Sequence, residues 1–582
     1  MANKITTTVS GLIIALLKKY EVKRVFGLPS AQLGIFMDGV SKDPYFTYVT
    51  SRHEECAGHM AHGATIPNNE MAVCFGTVGP GATNLLPGVA AAWADNIPML
   101  VLTPDNPLWM LDPYVDMLQC VDQIALFKPV TKWSAMIREP SRAGELIERA
   151  IRMARQGRPG PVHLDLPVDV SAMEVTYDLD AIPAALPPRP VPSKGELDEV
   201  VKLLRGAKRP LLVAGGGVVR SGGTQAFRML ADRTGFPAIS TVQGWGVIDP
   251  NSAGYIGSPG WHAGHAVIEA GRNADVILAV GCKFGSWTPV AKPPAVIGVD
   301  GQKIIQVDID YEMIGKNAPV ALGLLGDARE TLVAINALLG SDSLSINSSW
   351  LPSLSDVRKT YLDSVNSLAD ARPDDGSPIA TPAFMRELAR ILPKDAIACL
   401  DGGQTSSWAM TFIDADQPGR AKFESGMGHM GAGLPMAIGA KVAAGPDQLV
   451  VVISADGSAG LTGQEMETAA RLGIKVIMFV FNDSCWGCYK PLQDFVFRNP
   501  NWGTTVSNVD FSVVAKSYGC DGERITKPEE ISEAFKRGLA SQKPYVIDVQ
   551  TSYAFHPLDP VFFGQVVTGN IQLKPHALAT AA

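Results

Sequence analysis

Two residues in the C-terminal third could hold a cation between them. Asp456 ends the apolar run QLVVVISA and Asn482 ends KVIMFVF. Both runs read as strands buried on two faces of a parallel sheet. In open α/β sheets, ligands bind beyond the carboxyl ends of the strands. Asp456 offers an anionic oxygen and Asn482 a neutral amide oxygen. These two donors, a backbone carbonyl and two phosphate oxygens would suit octahedral Mg²⁺. Gly457 and Ser458 fall at the turn into a helix expected over 462–472, where free backbone N–H groups can hold a diphosphate. Taken singly, Asp456 reads as a helix cap and Asn482 as a turn residue.

A second acidic position lies near the N-terminus. SRHEECAGHMAHG follows the β-rich run YFTYVT and opens a helix of small residues, with Glu54 and Glu55 in its first turn. Glu55 is explained by helix-start electrostatics alone.

The pair Asp456-Gly457-Ser458 and Asn482 resembles the thiamine-diphosphate signature GDG-x(~25)-N, with Ala455 in place of the first Gly. Arg52-His53-Glu54, continuing through Ala57, His59-Met60-Ala61 and Gly63, is similar to the acetolactate synthase family. The resemblance implies two cofactors, thiamine diphosphate and Mg²⁺. It assigns Glu54 to the pyrimidine N1′, which must be hydrogen-bonded before the thiazolium C2 proton can leave. It lays the loop Gly79-Pro80-Gly81-Ala82-Thr83-Asn84 over the pyrimidine. Gln119 would face substrate, and Lys132 would lie near the site. Gly402, Gly403, Gln404 and Thr405 would bind diphosphate oxygens, and the Gly428 carbonyl would accept from the 4′-amino group. Met430 would be the apolar wedge that bends the cofactor, a gap a thioether fills well. Ser484 would give its backbone carbonyl to the metal.

These positions need strands to hold them, and the chain supplies three similar blocks. With 582 residues, a prior of roughly 150 residues per domain suggests three or four domains. The first block, 1–180, contains YFTYVTSRH, AVCFGTVGPG, PMLVLTP and PVHLDLP. A Pro-rich linker over 182–195 follows. The second, 196–340, contains PLLVAGGG, FPAISTVQG, DVILAVGC and IIQVDID. The third, 382–551, contains AIACLDGG, QLVVVISADG, KVIMFVFND and YVIDVQT. Strands alternating with helix-length segments predict three doubly wound parallel-sheet α/β domains. By the resemblance these are pyrimidine-binding, central and diphosphate-binding, with 552–582 as a C-terminal arm.

In the central block the resemblance points to FAD along Gly215–Gly217, the stretch 257–264, Asp308, Asp310 and Asp327. The stretch 281–287 departs from the family, which has an Arg and paired Asp residues there. FAD, ADP and no nucleotide therefore stay open, and tight strand–helix packing also explains the glycines.

The substrate is less legible. Pro29-Ser30-Ala31-Gln32 forms the loop near the reacting carbonyl. Ala31 stands where benzoylformate decarboxylases carry a catalytic Ser, and Gln32 where benzaldehyde lyase has a His. Gln can hydrogen-bond a carbonyl but cannot carry a proton at neutral pH. Cys488 and Leu492 replace the family's Met and Trp, and His429 stands where Thr is usual. Trp486, Tyr489, Phe495 and Phe497 line a large apolar pocket or are ordinary core. The expected reaction is decarboxylating carboligation of a 2-keto acid. A 2-keto-acid decarboxylase, or a lyase of the benzoylformate decarboxylase or benzaldehyde lyase type, is the alternative. Cys485-Trp486-Gly487-Cys488 also has the spacing of a thiol–disulfide motif, and an inactive scaffold would keep the same fold.

The net charge of −8, with 19% charged residues and no basic stripe, argues against nucleic acid as a partner. The run Leu12–Leu17 is too short to span a bilayer, and Lys18-Lys19 end it. A cytoplasmic enzyme acting on a small keto acid or aldehyde is expected. The resemblance implies a homodimer or homotetramer, with Glu54 of one chain meeting Asp456 of another.

Overall fold

The computed structural model describes residues 3–111, 117–185, 188–257, 264–285, 287–288, 297–340, 344, 346–491, 493–494 and 502–558. Leu492, Phe495, Phe497, most of 257–264 and the arm beyond 558 lie outside them, so the readings placed there stay as sequence expectations.

Three parallel sheets organise the chain. The N-terminal sheet has six strands in the order Thr47–Thr50, Arg24–Gly27, Ala72–Phe75, Met99–Asp105, Pro161–Pro167, Ser134–Met136. The central sheet has five: Ala238–Ser240, Pro210–Ala214, Val276–Val280, Lys303–Asp308, Leu322–Leu325. The C-terminal sheet has six: Ala421–Phe423, Ile397–Leu400, Val450–Ala455, Ile477–Asn482, Tyr545–Gln550, Asp521–Ile525. Helices cover the strands, so the inner ones are buried throughout, as in VVVIS and IMFVFN. A small antiparallel ribbon of Lys4–Thr8 with Glu174–Asp178 ties the two ends of the first domain together.

The sequence showed the long apolar strands and some short ones, and missed five in the three parallel sheets. Arg24–Gly27, Ser134–Met136, Leu322–Leu325, Ala421–Phe423 and Asp521–Ile525 have three to five residues each. Such runs carry too few apolar residues to show a period. The helix expected over 462–472 is two helices, Asp456–Thr462 and Glu465–Arg471. The first begins at Asp456 itself, so Gly457 and Ser458 lie within its first turn.

The first and third domains pack on each other along the helices Glu54–Gly63 and Gly433–Ala444. A Cβ on Gly63 would sit 2.0 Å from the Met436 carbonyl oxygen, and one on Gly439 would sit 1.9 Å from that of Met60. Only glycine permits this approach. One apolar core runs through both domains, including Met60, Ala61, Leu85 and Val101 with Leu434, Met436, Ala437 and Val452. Among the described residues, no helix is long and apolar enough to cross a membrane.

Candidate cofactor-binding site

Asp456 follows, and Asn482 ends, neighbouring strands of the third sheet, where Ala455 pairs with Phe481. Asp456 Oδ1 accepts from the Gly457 N–H at 2.9 Å. Asp456 Oδ2 is buried with no hydrogen-bond partner, and so is Asn482 Oδ1. The Asn482 amide is held by its Nδ2, which donates to the Val509 carbonyl at 2.7 Å and to Asp548 Oδ1 at 3.1 Å. Its oxygen is thereby turned the other way. Two orphaned oxygens at adjacent strand ends are costly unless something binds them. A hard divalent cation fits that donor set. Burial first, and then the neighbouring Asp483 carboxylate, push the Asp456 carboxyl up to about 7. A cation would oppose this shift.

Ser484 takes a positive φ of 57°. Its backbone N–H lies against Asp456, and its carbonyl accepts from the Val506 N–H at 2.9 Å. That carbonyl, expected to face a metal, is therefore already engaged once, with one lone pair remaining.

Beside this pair lies a cleft of about 320 Å³, lined in part by Gly402–Thr405, Met430, Gly457, Ser458 and Trp486. Gly403 has φ 117° and opens the helix Gln404–Phe412, so free N–H groups face the cleft. Gly402 is pressed against the next loop: a Cβ there would meet the Gly428 carbonyl oxygen at 2.7 Å. Ser458 Oγ donates to the Gly402 carbonyl at 2.8 Å. Gly428 has φ 62°, and Met430 beside it keeps 37% of its surface exposed.

Asp401 organises these loops, a role the sequence reading missed. Its Oδ1 accepts from the N–H groups of Gly402 at 2.8 Å and Gly431 at 2.7 Å, and its Oδ2 accepts from Ser454 Oγ at 2.7 Å. An Asp directly after a buried strand, before two glycines, was the available signal.

The N-terminal residues gather at the same edge of their own sheet. Glu54 is buried at the start of its helix, and its Oε2 accepts from Asn84 Nδ2 at 3.1 Å. Gly76 and Gly81 make room for it, since Cβ atoms there would lie 3.1 Å from its Cγ and 3.3 Å from its Oε1. Gln32 Oε1 lies 3.2 Å from Ser30 Oγ and 3.3 Å from Thr77 Oγ1, the two hydroxyls that donate to it. Gly79 and Gln119 both have positive φ, 69° and 63°, and their backbones touch: a Cβ on Gly79 would be 2.3 Å from the Gln119 carbonyl oxygen. The loop leading into Glu54 is held from the third domain. Glu465 accepts from the Arg52 N–H at 2.9 Å and the His53 N–H at 3.2 Å. Nothing in the sequence around Glu465 pointed to that contact.

Lys132 does not join this group. Its Nζ donates to the carbonyls of Met153 at 2.5 Å and Gln156 at 2.6 Å. It caps the end of the helix Ala143–Arg155.

Three family models cover the chain. They are the thiamine pyrophosphate enzyme N-terminal TPP binding domain over residues 7–126, the central domain over 197–335 and the C-terminal TPP binding domain over 401–549. A probable acetolactate synthase large subunit from Methanocaldococcus jannaschii is 32% identical over 562 residues, covering 92% of this chain and 90% of that protein. The chain belongs to the thiamine pyrophosphate enzymes. Within that family it is also similar to an acetolactate synthase large subunit of Corynebacterium glutamicum, 31% identical over 92% of this chain and 85% of that one.

The thiol–disulfide reading loses its basis. Cys485 Sγ donates to Asp483 Oδ1 at 3.2 Å, and burial together with that carboxylate pushes the thiol far above its ordinary range. This is the opposite of an activated thiolate.

Proposed function

We propose that the protein is a Mg²⁺-dependent thiamine-diphosphate carboligase of the acetolactate synthase type, acting on a 2-keto acid. The observation that carries the cofactor assignment is the pair of buried, unpartnered oxygens on Asp456 and Asn482 beside the glycine-walled cleft. When bound, thiamine diphosphate supplies the nucleophilic carbon that attacks a carbonyl. The chain's own groups then have separate tasks. Asp456 and Asn482 hold the cation, with Ser484 offering its remaining lone pair. Gly402, Gly403, Gln404, Thr405, Gly457 and Ser458 bind the diphosphate through N–H and side-chain groups. Met430 would pack against the bound cofactor's rings, and the Gly428 carbonyl would accept from the 4′-amino group. Glu54, oriented by Asn84, holds a proton at the pyrimidine N1′. The Gly79 loop packs over that ring, and Gln32 and Gln119 bind the substrate's polar atoms.

The relatives' names support a carboligase. Incubation with pyruvate and with benzoylformate, scoring CO₂, free aldehyde and coupled product, tests it. Coupled product with CO₂ is expected. CO₂ with aldehyde alone would make the protein a decarboxylase, and no CO₂ would remove the keto-acid reading.

The site assembles between two chains of a homodimer or homotetramer. Support comes from exposed apolar groups in both domains: Met430 at the cleft and Met427 near it in sequence, with Trp109 and, beside Gln119, Leu118 in the first domain, keep from 37% to 82% of their surface. Mixing a Glu54→Gln chain with an Asp456→Ala chain tests this. Shared sites should restore about a quarter of wild-type activity through mixed dimers. No recovery would place each site within one chain.

A cavity of about 760 Å³ between the first and central domains is lined in part by Arg158, Arg220, Lys283, Gly217, Asp308 and Asp327. Its size and its cationic groups suit a dinucleotide such as FAD or an ADP moiety. The glycines also serve packing, since a Cβ on Gly215 would lie 2.0 Å from the Gly281 carbonyl oxygen. The absorbance of the purified protein separates a flavin from a colourless nucleotide.

A further inference from the structure

Three side chains behind the proposed thiamine cleft converge from two domains. Glu55 and His59 are four residues apart on the helix Glu54–Gly63, so they share one face. His429 comes from the turn that carries Met430. Glu55 Oε1 lies 3.9 Å from His59 Nε2 and 3.6 Å from His429 Nε2. One donor atom from each residue falls within 4.8 Å of the others. The two rings are tilted by 54° with centroids 4.9 Å apart.

The hydrogen bonding around them is unusual for a structural cluster. His59 is fully buried, and neither of its ring nitrogens has a hydrogen-bond partner. Leaving such a group unsatisfied is destabilising. His429 Nδ1 donates to the Met430 carbonyl oxygen at 2.8 Å, which leaves Nε2 facing Glu55. On the far side of His59, Nδ1 faces Glu424 Oε2 at 3.9 Å, and both Glu424 oxygens are buried without a partner. Each imidazole thus presents Nε2 inward and Nδ1 to an oxygen behind it. Metal-bound histidines are oriented by hydrogen bonds from the other ring nitrogen to carboxylates and carbonyls, the part that the Met430 carbonyl plays for His429.

We propose that Glu55, His59 and His429 form a binding site for a divalent transition metal that links the first and third domains beside the Met430 turn. Bonds of ~2.0–2.1 Å to a tetrahedral ion place donor atoms roughly 3.4 Å apart. The two Glu55 distances of 3.6 and 3.9 Å need to close by about 0.2 and 0.5 Å, and the two imidazole nitrogens, within 4.8 Å of each other, need to draw together as the ion binds. Two imidazoles and one carboxylate select Zn²⁺, Co²⁺ or Ni²⁺ over Mg²⁺, which prefers oxygen. The Glu55 and His429 side chains keep 20% and 26% of their surface exposed, so a fourth position stays open to water or an anion. The site needs neither Asp456 nor Asn482.

Titration of the full-length protein with Co²⁺, in saturating Mg²⁺ and thiamine diphosphate, tests the proposal. One equivalent per chain should give the intense visible bands of a four- or five-coordinate, imidazole-bound ion. His429→Thr and Glu55→Gln should each weaken that binding by at least about tenfold. Both residues are partly exposed, and circular dichroism verifies that the variants fold. Asp456→Asn should leave the bands intact. Only the faint bands of octahedral Co²⁺, or unchanged bands in both site variants, would overturn the site.

Discussion

The N-terminal and C-terminal domains share one sheet topology: numbered along each domain, the strands lie in the order two, one, three, four, six, five. They place chemistry at different strand ends. In the C-terminal domain, Asp401–Thr405 follow the first strand, Asp456 the third and Asn482 ends the fourth. In the N-terminal domain, Gln32 follows the first strand, Glu54 the second and the Gly79 loop the third. Asp456 Oδ2 and Asn482 Oδ1 have no protein partner, whereas Glu54 Oε2 is held by Asn84. A parallel sheet fixes where loops emerge but not what they carry. One frame can therefore serve a cation with diphosphate at one copy and a proton-holding acid at the other.

The comparison can be broken in stages. If the N-terminal domain handles the proton, Glu54→Gln should lower kcat by about 10²–10⁴-fold while calorimetry shows the cofactor still binding. Activity within tenfold of wild type would take the acid's role from Glu54. If the C-terminal domain holds the charge, Asp456→Ala should do the reverse. It should weaken Mg²⁺ and diphosphate binding at least about 100-fold, from the roughly 3 kcal/mol lost when one partner of a buried ionic contact is removed. Equal cofactor affinity in the two variants would erase the division of labour.

A smaller effect is expected where the two domains touch. Gly439→Ala would set a methyl 1.9 Å from the Met60 carbonyl oxygen and should cost about 1–3 kcal/mol. Denaturant melts followed in each domain should shift together, because one core crosses the boundary. A shift confined to one domain would mean that the two unfold separately.

An effect of similar size concerns acid. His163 is fully buried in the N-terminal domain between Thr103 Oγ1 at 2.7 Å and Ser134 Oγ at 2.8 Å, and burial lowers it to about 3. Below the ordinary pKa of about 6.5, the unfolded chain binds a proton that the folded chain refuses. Stability from this group is complete above pH ~6.5 and falls by roughly 1.4 kcal/mol per pH unit towards pH 3. His163→Gln should flatten that part of the profile, as measured by unfolding midpoints at pH 7 and pH 5. An unchanged slope would mean that His163 already carries its proton when folded.

Some contacts had a signal in the chain and others had none. Asp401 sits between a strand and two glycines, so its place could have been read. Glu465 lies in an ordinary helical stretch, and only folding shows it holding the loop before Glu54. Lys132 matched the family by position, yet its ammonium closes the end of a helix instead. The strand Ala421–Phe423, with only three residues and a lysine in its middle, carried no apolar run to read.

By itself, the sequence determined the three α/β units, most of their inner strands and the positions of Asp456, Asn482 and Glu54. Those features follow from local patterns: apolar runs, and the residue types that end them. Tertiary structure alone decided which oxygens would be left without partners. It likewise decided that the helix Glu54–Gly63 would lie against Gly433–Ala444, and that Glu55 and His59 would meet His429. Such meetings depend on how separate segments pack, and the spacing of residues along one segment carries no record of what the other will bring.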